Sequence, residues 1–299
     1  MNSTNNYETC GLIHDYYPLQ KMISIEKNGR IQYFYFGKRM FRIFMDAMAY
    51  KSVFVFFEYS DKTKILKGAT AKEIVTLHKI MYTTHHGLKK IYCVDDIKAR
   101  IEAQINRVEY KMFMDLELTM PKFGERAAFT PEIIQIGMVV TDENDTVINS
   151  YSTYVNPITP ISNRAKLFLQ ITDDDFIDAL PYEEFYKEYK RFIDIYKPTI
   201  YVWGGNDVKA FNDSYLIHNA KPIKARYVDL LKYIRQYYEL KEDIGLFHAL
   251  KIFDHVDASQ AHHALTDATA TKEVFVKFKQ AINDEIFVDV KRELLTLDK

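Results

Sequence analysis

Two acidic residues, Asp115 and Glu117, lie two positions apart in an otherwise apolar segment that includes Phe113, Leu116 and Leu118. Side chains at positions i and i+2 of a β-strand point to the same side, so the pattern predicts two neighbouring carboxylates on one face. Buried carboxylates repel each other and lose hydration. A divalent cation compensates both effects, because carboxylate oxygens are ligands for Mg²⁺ and Mn²⁺. The alternative is a solvated face of an edge strand, and this pair alone does not decide between the two.

Two further aspartates lie where helices are predicted to begin. Asp207 follows a short apolar strand at 199–202, so we expect it at the carboxyl end of a sheet, where α/β sites form. An aspartate at a helix start is also a common N-cap. Asp267 closes the run His262-His263-Ala-Leu-Thr-Asp, which opens a long amphipathic segment. Taken alone, a histidine at a helix end is more often structural than catalytic.

The order of these three motifs carries more information than each motif by itself. D-x-E, then an aspartate after a Trp-Gly segment, then H-x-A-x-x-D resembles the DEDDh 3′–5′ exonucleases, which are RNase T/DnaQ-like proteins with an RNase H-like fold. The segments 130–137, 171–185 and 203–209 are also similar to motifs of that family. The last is similar to the sporulation-inhibitor-type and histone-mRNA-trimming branch. The resemblance covers about 111–282 and nothing in 1–110.

The resemblance implies a role for each matched residue. Two divalent metal ions, Mg²⁺ or Mn²⁺, would be held at the scissile phosphate by four acids: Asp115, Glu117, Asp207 and Asp267. His262 matches the general base, since a neutral imidazole with a pKa of about 6.5 accepts a proton from water at neutral pH. The H-x-A-x-x-D spacing selects His262, and His263 is the competing candidate for this role.

Four residues are candidate substrate contacts: Phe123, Phe129, Trp203 and Asn206. The segment between Thr119 and Glu132 departs from the family pattern. A phenylalanine in it either stacks on a base or packs within the loop. The pair Gly204-Gly205 also differs from the more common sequence of the family's second motif. We therefore expect the backbone before Asp207 to bend differently there.

The function that the resemblance implies is metal-dependent 3′–5′ exonuclease activity. The expected partners are single-stranded RNA or DNA 3′ ends, with RNA favoured by the branch resemblance, and the expected products are nucleoside 5′-monophosphates. One alternative is a DNA-directed exonuclease for repair or end trimming. Another is a catalytically weak nucleic-acid-binding protein, which is disfavoured because all four acids and the histidine are present.

The elements that must position these residues predict an α/β domain over 111–285. Apolar runs predict strands at 112–118, 133–140, 146–155, 199–202 and 227–229, and amphipathic runs predict helices at 176–196, 207–219, 245–253 and 262–282. A three-strand meander followed by alternating helices and strands favours a mixed five-stranded sheet with flanking helices, and the resemblance implies that it is RNase H-like. A helix within 95–110 is predicted as a connector, and 286–299 as a C-terminal tail.

The pattern of residues 1–94 predicts a small β-rich domain, a barrel with one helix. Short strands are expected at 22–25, 31–36 and 52–59, with Asn28-Gly29 as a two-residue hairpin turn. Residues 71–82 are predicted to form the helix, and the first 20 or so residues are predicted to be frayed.

The charge distribution gives the N-terminal part a possible role. Residues 1–110 hold 17 Lys and Arg against 11 Asp and Glu, whereas 111–299 hold 23 against 30. Aromatic residues at 33–36 and 54–57 are interleaved with lysines and arginines, which is typical of single-stranded nucleic-acid platforms. Two other interpretations stay open: a β core with a solvated basic face, and a module for homo-oligomerisation.

The composition excludes several classes of protein. The chain has 299 residues, of which 47% are hydrophobic and 27% charged, so it is not a disordered chain. No apolar run approaches the ~20 residues of a membrane span, and the first residues carry no signal-peptide core. Two cysteines, Cys10 and Cys93, are too few for a disulfide framework, which indicates a reducing compartment. Together these features lead us to expect a cytoplasmic location and no membrane association.

Overall fold

The computed structural model describes residues 6–84, 86–122, 129–240, 242–254 and 262–297. The chain divides into two compact units, 1–100 and 101–299. The division falls within the helix Val94–Ile105, which coincides with the predicted connector helix. Among the described residues, no helix is both long and apolar enough to cross a membrane.

The first unit is built mainly from strands. In chain order, its described elements are β1 (Asn6–Tyr17), β2 (Met22–Lys27), β3 (Arg30–Phe36), α1 (Lys38–Met48), β4 (Val53–Leu66), β5 (Ala69–Thr84), β6 (Gly87–Cys93) and the first part of α2 (Val94–Ile105). The predicted hairpin turn is present, since Lys27 pairs with Arg30 and Asn28 and Gly29 both have positive φ.

The strands of this unit close into a barrel. Within its described residues the sheet order is β3-β2-β1-β4-β5-β6, and a further parallel pairing of β3 with β5 closes the ring β1-β2-β3-β5-β4. Strand alternation fills the interior with apolar side chains, among them Ile23, Ile25, Phe34, Phe36 and Val55, each at most 3% exposed. The expectation of a small β-rich domain is therefore confirmed.

Two predictions for this unit are wrong. Residues 6–17 are not frayed, because β1 pairs with both β2 and β4, and residues 1–5 lie outside the described residues. Residues 71–82 form strand β5 and not a helix. The buried positions Ile74, Leu77 and Ile80 are three residues apart, like a helix face, because the β4–β5 register skips Val75 and His78. Each such bulge adds one residue and reverses the side-chain alternation.

The second unit alternates strands and helices. Its described elements after α2 are β7 (Lys111–Leu118), β8 (Ile133–Thr141), β9 (Val147–Tyr154), α3 (Asn163–Leu169), α4 (Tyr182–Tyr196), β10 (Thr199–Val202), α5 (Asn206–Ile217), β11 (Arg226–Asp229), α6 (Leu230–Tyr237), α7 (Leu246–Asp254), α8 (Ala264–Ile282) and α9 (Val290–Leu297). The helix predicted over 176–196 is shorter than expected, because Pro181 precedes its first residue.

The sheet of this unit has the order β11-β10-β7-β8-β9 in its described residues. β10 runs parallel to β7 and β11, whereas β8 is antiparallel to β7 and β9. This is the mixed five-stranded RNase H-like sheet that the sequence predicts. β8 is buried along its whole length, because helices cover both faces of the sheet. α4 and α5 cover one face, and α8 covers the other.

The C-terminal residues are not only a tail, contrary to the prediction for 286–299. They include α9, which packs against α7, and its first residue Val290 is 1% exposed. Burial of that side chain attaches the end of the chain to the second unit.

Candidate active site

The D-x-E pair continues the face of β7 that α8 covers. Phe113, two residues before Asp115, contacts Phe275 of α8 with ring centroids 5.2 Å apart. Because alternate residues share a face, Asp115 and Glu117 point to the same side, toward the N-terminal end of α8. Asp115 pairs with Gly137 and Glu117 with Gln135 on β8, so the pair lies on an interior strand and not at a wet edge.

Asp207 reaches the same place from another element. It follows β10 and lies in the first turn of α5, with only 6% of its surface exposed. Its carboxylate accepts a hydrogen bond from the backbone N–H of Leu116, between the two acids of β7. The chain turns before it at Gly204, whose φ of 90° favours glycine.

The third motif depends on close packing of α8 against β8. Gly137 allows this approach, since a Cβ at that position would lie 2.2 Å from the carbonyl carbon of Ala264. Gln135 fixes the same helix end, because its side-chain oxygen accepts from the backbone N–H of Ala264 at 3.0 Å. Both residues position Asp267 in the first turn of α8. Sequence reasoning assigned them no role, although they belong to the strand segment that resembles the family.

The two histidines of the third motif have different environments. The backbone carbonyl of His263 accepts from the N–H of Asp267, so His263 is the N-cap residue directly before α8. His262 has a positive φ of 41°, and its ring lies against Phe168 with centroids 4.3 Å apart. Ligand atoms of His262, Glu117 and Asp267 all lie within 4.8 Å of one another. Of the two histidines, His262 is the one at the acidic cluster.

The four acids destabilise one another's charged form. Burial, followed by repulsion from the other three acids, raises the pKa of Asp115 well above its usual range. Burial and the charges of Asp267 and Asp207 raise the pKa of Glu117 to about 8. Burial raises the pKa of Asp207 to about 7, although backbone hydrogen bonds oppose this, and it raises the pKa of Asp267 to about 6.

This donor set fits divalent metal ions. Oδ1 of Asp267 is buried without a hydrogen-bond partner among the described residues. Crowded, desolvated carboxylates with an unpartnered oxygen are an oxygen-rich site that a cation would satisfy. Asp115, Glu117, Asp207 and Asp267 are the residues that would hold the ions.

Of the four candidate substrate contacts, the structure describes three, and Asn206 is the one directly beside an acid of the site. Trp203 is half-buried, and its indole N–H donates to the carbonyl of Ile244 at 3.2 Å. Asn206 is exposed at the start of α5, beside Asp207. Phe129 is half-buried in the segment before β8, and Phe123 lies outside the described residues.

Comparison with known proteins agrees with this geometry. Residues 112–275, more than half of the chain, match the family model of the RNase T exonucleases. The chain belongs to the RNase T exonuclease family. It is a 3′–5′ exonuclease of the DEDDh class, and its family uses divalent metal ions.

Several relatives of this exonuclease are known. It is 28% identical over 174 residues to a protein of Bacillus subtilis named as the probable 3′–5′ exonuclease KapD, a match that covers 56% of this chain and 84% of that one. It is 27% identical over 216 residues to a PolC-type DNA polymerase III of Streptococcus pneumoniae. That match covers 69% of this chain but only 14% of the polymerase.

Solved structures show the same fold at low identity. The nuclease domain of 3′hExo, a DEDDh family member bound to rAMP, superposes with a TM-score of 0.50 and 19% identity, over 61% of this chain and 96% of that domain. A full-length 3′-exonuclease superposes with a TM-score of 0.51 and 18% identity, over 60% and 84% of the two chains. The exonuclease fold therefore accounts for the second unit.

Proposed function

We propose that this exonuclease removes nucleoside 5′-monophosphates from the 3′ end of single-stranded nucleic acid, and that its substrate is RNA. The proposal includes two divalent ions, Mg²⁺ or Mn²⁺, held by Asp115, Glu117, Asp207 and Asp267. The observation that carries it is the convergence of these four acids, three of them with a pKa raised to between about 6 and 8, on one end of the sheet.

Different residues of the chain contribute to different parts of the hydrolysis reaction. When bound, the metal ions supply positive charge that stabilises the developing negative charge on the phosphate. The His262 ring accepts the proton of the water whose oxygen attacks phosphorus, and the P–O3′ bond breaks. The leaving O3′ takes a proton from solvent, so the shortened strand keeps a 3′-hydroxyl. The hydrogen bond from Leu116 orients the Asp207 carboxylate, and Gln135 and Gly137 hold the helix end that carries Asp267.

Trp203, Asn206, Phe129 and Phe123 are the proposed contacts with the terminal nucleotide. For Trp203 the proposal concerns its ring face, since its N–H already donates to Ile244. Asn206 has an exposed amide next to Asp207, which suits a contact with a sugar or phosphate oxygen.

A DNA-directed exonuclease is the second candidate. The observation that favours it is the 216-residue similarity to a PolC-type DNA polymerase III. The RNA assignment is supported by the resemblance of the segment 203–209 to the histone-mRNA-trimming branch.

One experiment tests substrate, metal and direction together. RNA and DNA 20-mers of equal sequence are incubated with Mg²⁺, Mn²⁺ or EDTA, and the products are separated by chromatography. We expect 5′-monophosphates, faster release from RNA, and no release in EDTA until metal is restored. Strands with a 3′-phosphate and circular strands should resist. Rapid cutting of circles would show an endonuclease, and full activity in EDTA would exclude the metal mechanism.

A further inference from the structure

The barrel of the first unit has a strand arrangement that is known to bind oligomeric ligands. The ring β1-β2-β3-β5-β4, with parallel β3–β5 pairing and α1 between β3 and β4, is the five-stranded Greek-key arrangement of OB-folds. Such barrels bind oligonucleotides or oligosaccharides on the outer face of strands 2 and 3, together with the β1–β2 and β4–β5 loops. Because one fold serves many functions, the chemistry of the residues on that face determines which ligand it can bind.

The outer face carries tyrosines at the required place. Alternation along β3 directs Phe34 and Phe36 into the barrel core and Tyr33 and Tyr35 to the opposite face, where Tyr35 is buried beside Met22 and Ala71 and Tyr33 is half-buried. Tyr17, at the end of β1, lies beside Tyr33 with ring centroids 6.3 Å apart. Flat aromatic rings on an outer sheet face provide surfaces on which bases stack.

The β4–β5 hairpin brings positive charge to these rings. Its two-residue turn, Lys67-Gly68, has positive φ at both positions. The ammonium of Lys64 lies 4.7 Å from the ring centre of Tyr35, and that of Lys67 lies 5.1 Å from the ring centre of Tyr17. We call Tyr17, Tyr33, Tyr35, Lys64 and Lys67 the tyrosine–lysine face.

An unsatisfied polar group lies on the same face. Tyr35 is 4% exposed, and its hydroxyl has no hydrogen-bond partner among the residues that the structure describes. Tyr35 therefore lies beneath the face, with Lys64 over its ring, and the half-buried rings of Tyr17 and Tyr33 are the ones that a base can contact.

We propose that the tyrosine–lysine face binds a segment of single-stranded nucleic acid, with bases stacked on the half-buried rings of Tyr17 and Tyr33 and phosphates beside Lys64 and Lys67. The basic excess of residues 1–110 complements a polyanion, and this favours a nucleic acid over an uncharged oligosaccharide. The proposal rests on the proposed function for its substrate class, but the face is separate from the four acids in sequence and in fold.

Binding is measured on the full chain in EDTA, so that hydrolysis does not interfere. Fluorescence anisotropy with a labelled single-stranded 20-mer gives the affinity at several salt concentrations. Tyr33→Ala should weaken binding about 5- to 150-fold, the range for loss of one base–aromatic stack, and Tyr33→Phe should retain affinity. Lys64→Ala with Lys67→Ala should lower the slope of log K against log salt by about 1.4, or about 0.7 for each phosphate contact.

Matched controls use residues at the other end of the β4–β5 hairpin. Lys51→Ala with Lys89→Ala makes the same change in net charge, and Tyr50→Ala removes an exposed tyrosine that contacts Tyr82. These variants should retain the affinity, apart from a small general salt effect. Circular dichroism and the melting temperature verify that every variant is folded.

The outcomes separate this proposal from its alternatives. Equal losses in face and control variants, or an unchanged affinity in folded face variants, would overturn it. A change of oligomeric state by light scattering at unchanged affinity would also overturn it and make the face a self-association surface. Hydrolysis of trinucleotides with metal present is assayed separately. Its failure in the wild type would refute the proposed function but not the binding face.

Discussion

At the scale of single residues, the four acids of the site lower the free energy of unfolding of the metal-free protein. Asp115, Glu117, Asp207 and Asp267 come from β7, α5 and α8, and each has a pKa above its ordinary value, chiefly because of burial. The folded protein therefore binds more protons than the unfolded chain, whose carboxyl groups have a pKa of about 4.

This gives a pH dependence with a definite sign. As the pH rises from about 4 to about 8, the unfolded chain ionises first, and the free energy of unfolding of the metal-free protein falls. Asp115→Asn removes one of the repelling charges, so at pH 8 it should stabilise the metal-free protein by about 1–3 kcal/mol. The gain should shrink toward pH 5. Urea unfolding in EDTA at several pH values measures it.

The control for this prediction is an exposed acid in the turn between β8 and β9. Glu143→Gln should leave the pH dependence as in the wild type. Addition of Mg²⁺ or Mn²⁺ should stabilise the wild type and should stabilise the Asp115→Asn variant less. The Asp115→Asn substitution should also abolish turnover. A destabilised Asp115→Asn variant at pH 8 would mean that the charge is already compensated within the protein.

The adjacent histidines give a second test at this scale. His262→Ala should lower the single-turnover rate about 10²–10⁴-fold with little change in binding, because it removes the proton acceptor. His263→Ala should cost far less, since His263 contributes its backbone carbonyl to α8 and this survives the substitution. The opposite result would show that His263, and not His262, is the proton acceptor.

At the scale of elements, the contact between β8 and α8 determines where the third motif lies. Gly137→Ala should destabilise the protein by about 1–3 kcal/mol or more and slow hydrolysis, because the added Cβ meets backbone atoms at 2.2 Å and displaces the helix end before Asp267. Urea unfolding and the hydrolysis rate are measured together. Gly245→Ala, whose Cβ would have its nearest neighbour at 3.8 Å, is the matched control and should stay within about 0.5 kcal/mol.

A buried ion pair joins β7 to the turn that follows β8. Lys111 is fully buried, and its ammonium lies 2.8 Å from Asp145, which also contacts Lys279 of α8 at 2.6 Å. Asp145→Asn should cost about 3–5 kcal/mol, because it leaves the Lys111 charge buried without a counter-charge. The melting temperature and urea unfolding measure this.

Two further variants test the cause of that loss. Asp194→Asn breaks an exposed pair with Lys190 on α4 and should change stability by at most about 0.5 kcal/mol. Lys111→Met combined with Asp145→Asn should recover much of the loss, since the unpaired charge is then gone. No recovery would indicate that the loss arises from the contact of Asp145 with Lys279 and not from the unpaired charge of Lys111.

At the scale of the whole molecule, the two units have opposite charge. Residues 1–100 hold 16 Lys and Arg against 9 Asp and Glu, and residues 101–299 hold 24 against 32. We expect the KM for a 20-mer to rise more steeply with salt than the KM for a trinucleotide, because a trinucleotide offers few phosphates to the basic unit. Steady-state kinetics at 50–200 mM salt give both slopes. Lys64→Ala with Lys67→Ala should reduce the difference between them, and equal slopes in the wild type would argue against a role for the barrel.

Much of the nuclease unit can be predicted from the chain because its signals are local. Apolar runs with strand or helix periodicity predict β7, β8, β10 and α8. The three acidic motifs lie at the ends of these predicted elements. The Asn28-Gly29 turn is also local, since φ depends on the residue itself. These features do not require knowledge of which distant segments meet.

The remaining features arise from contacts between distant segments. The helix-like spacing of Ile74, Leu77 and Ile80 is produced by bulges, which exist only once β5 has paired with β4. Asn6–Tyr17 is ordered because two strands flank it, and Gly137 matters because α8 returns to it after more than a hundred residues. The tyrosines of β3 lie outside and its phenylalanines inside because closure of the barrel selects which face is buried. Long-range pairing and packing decide these points, and periodicity within one segment does not encode them.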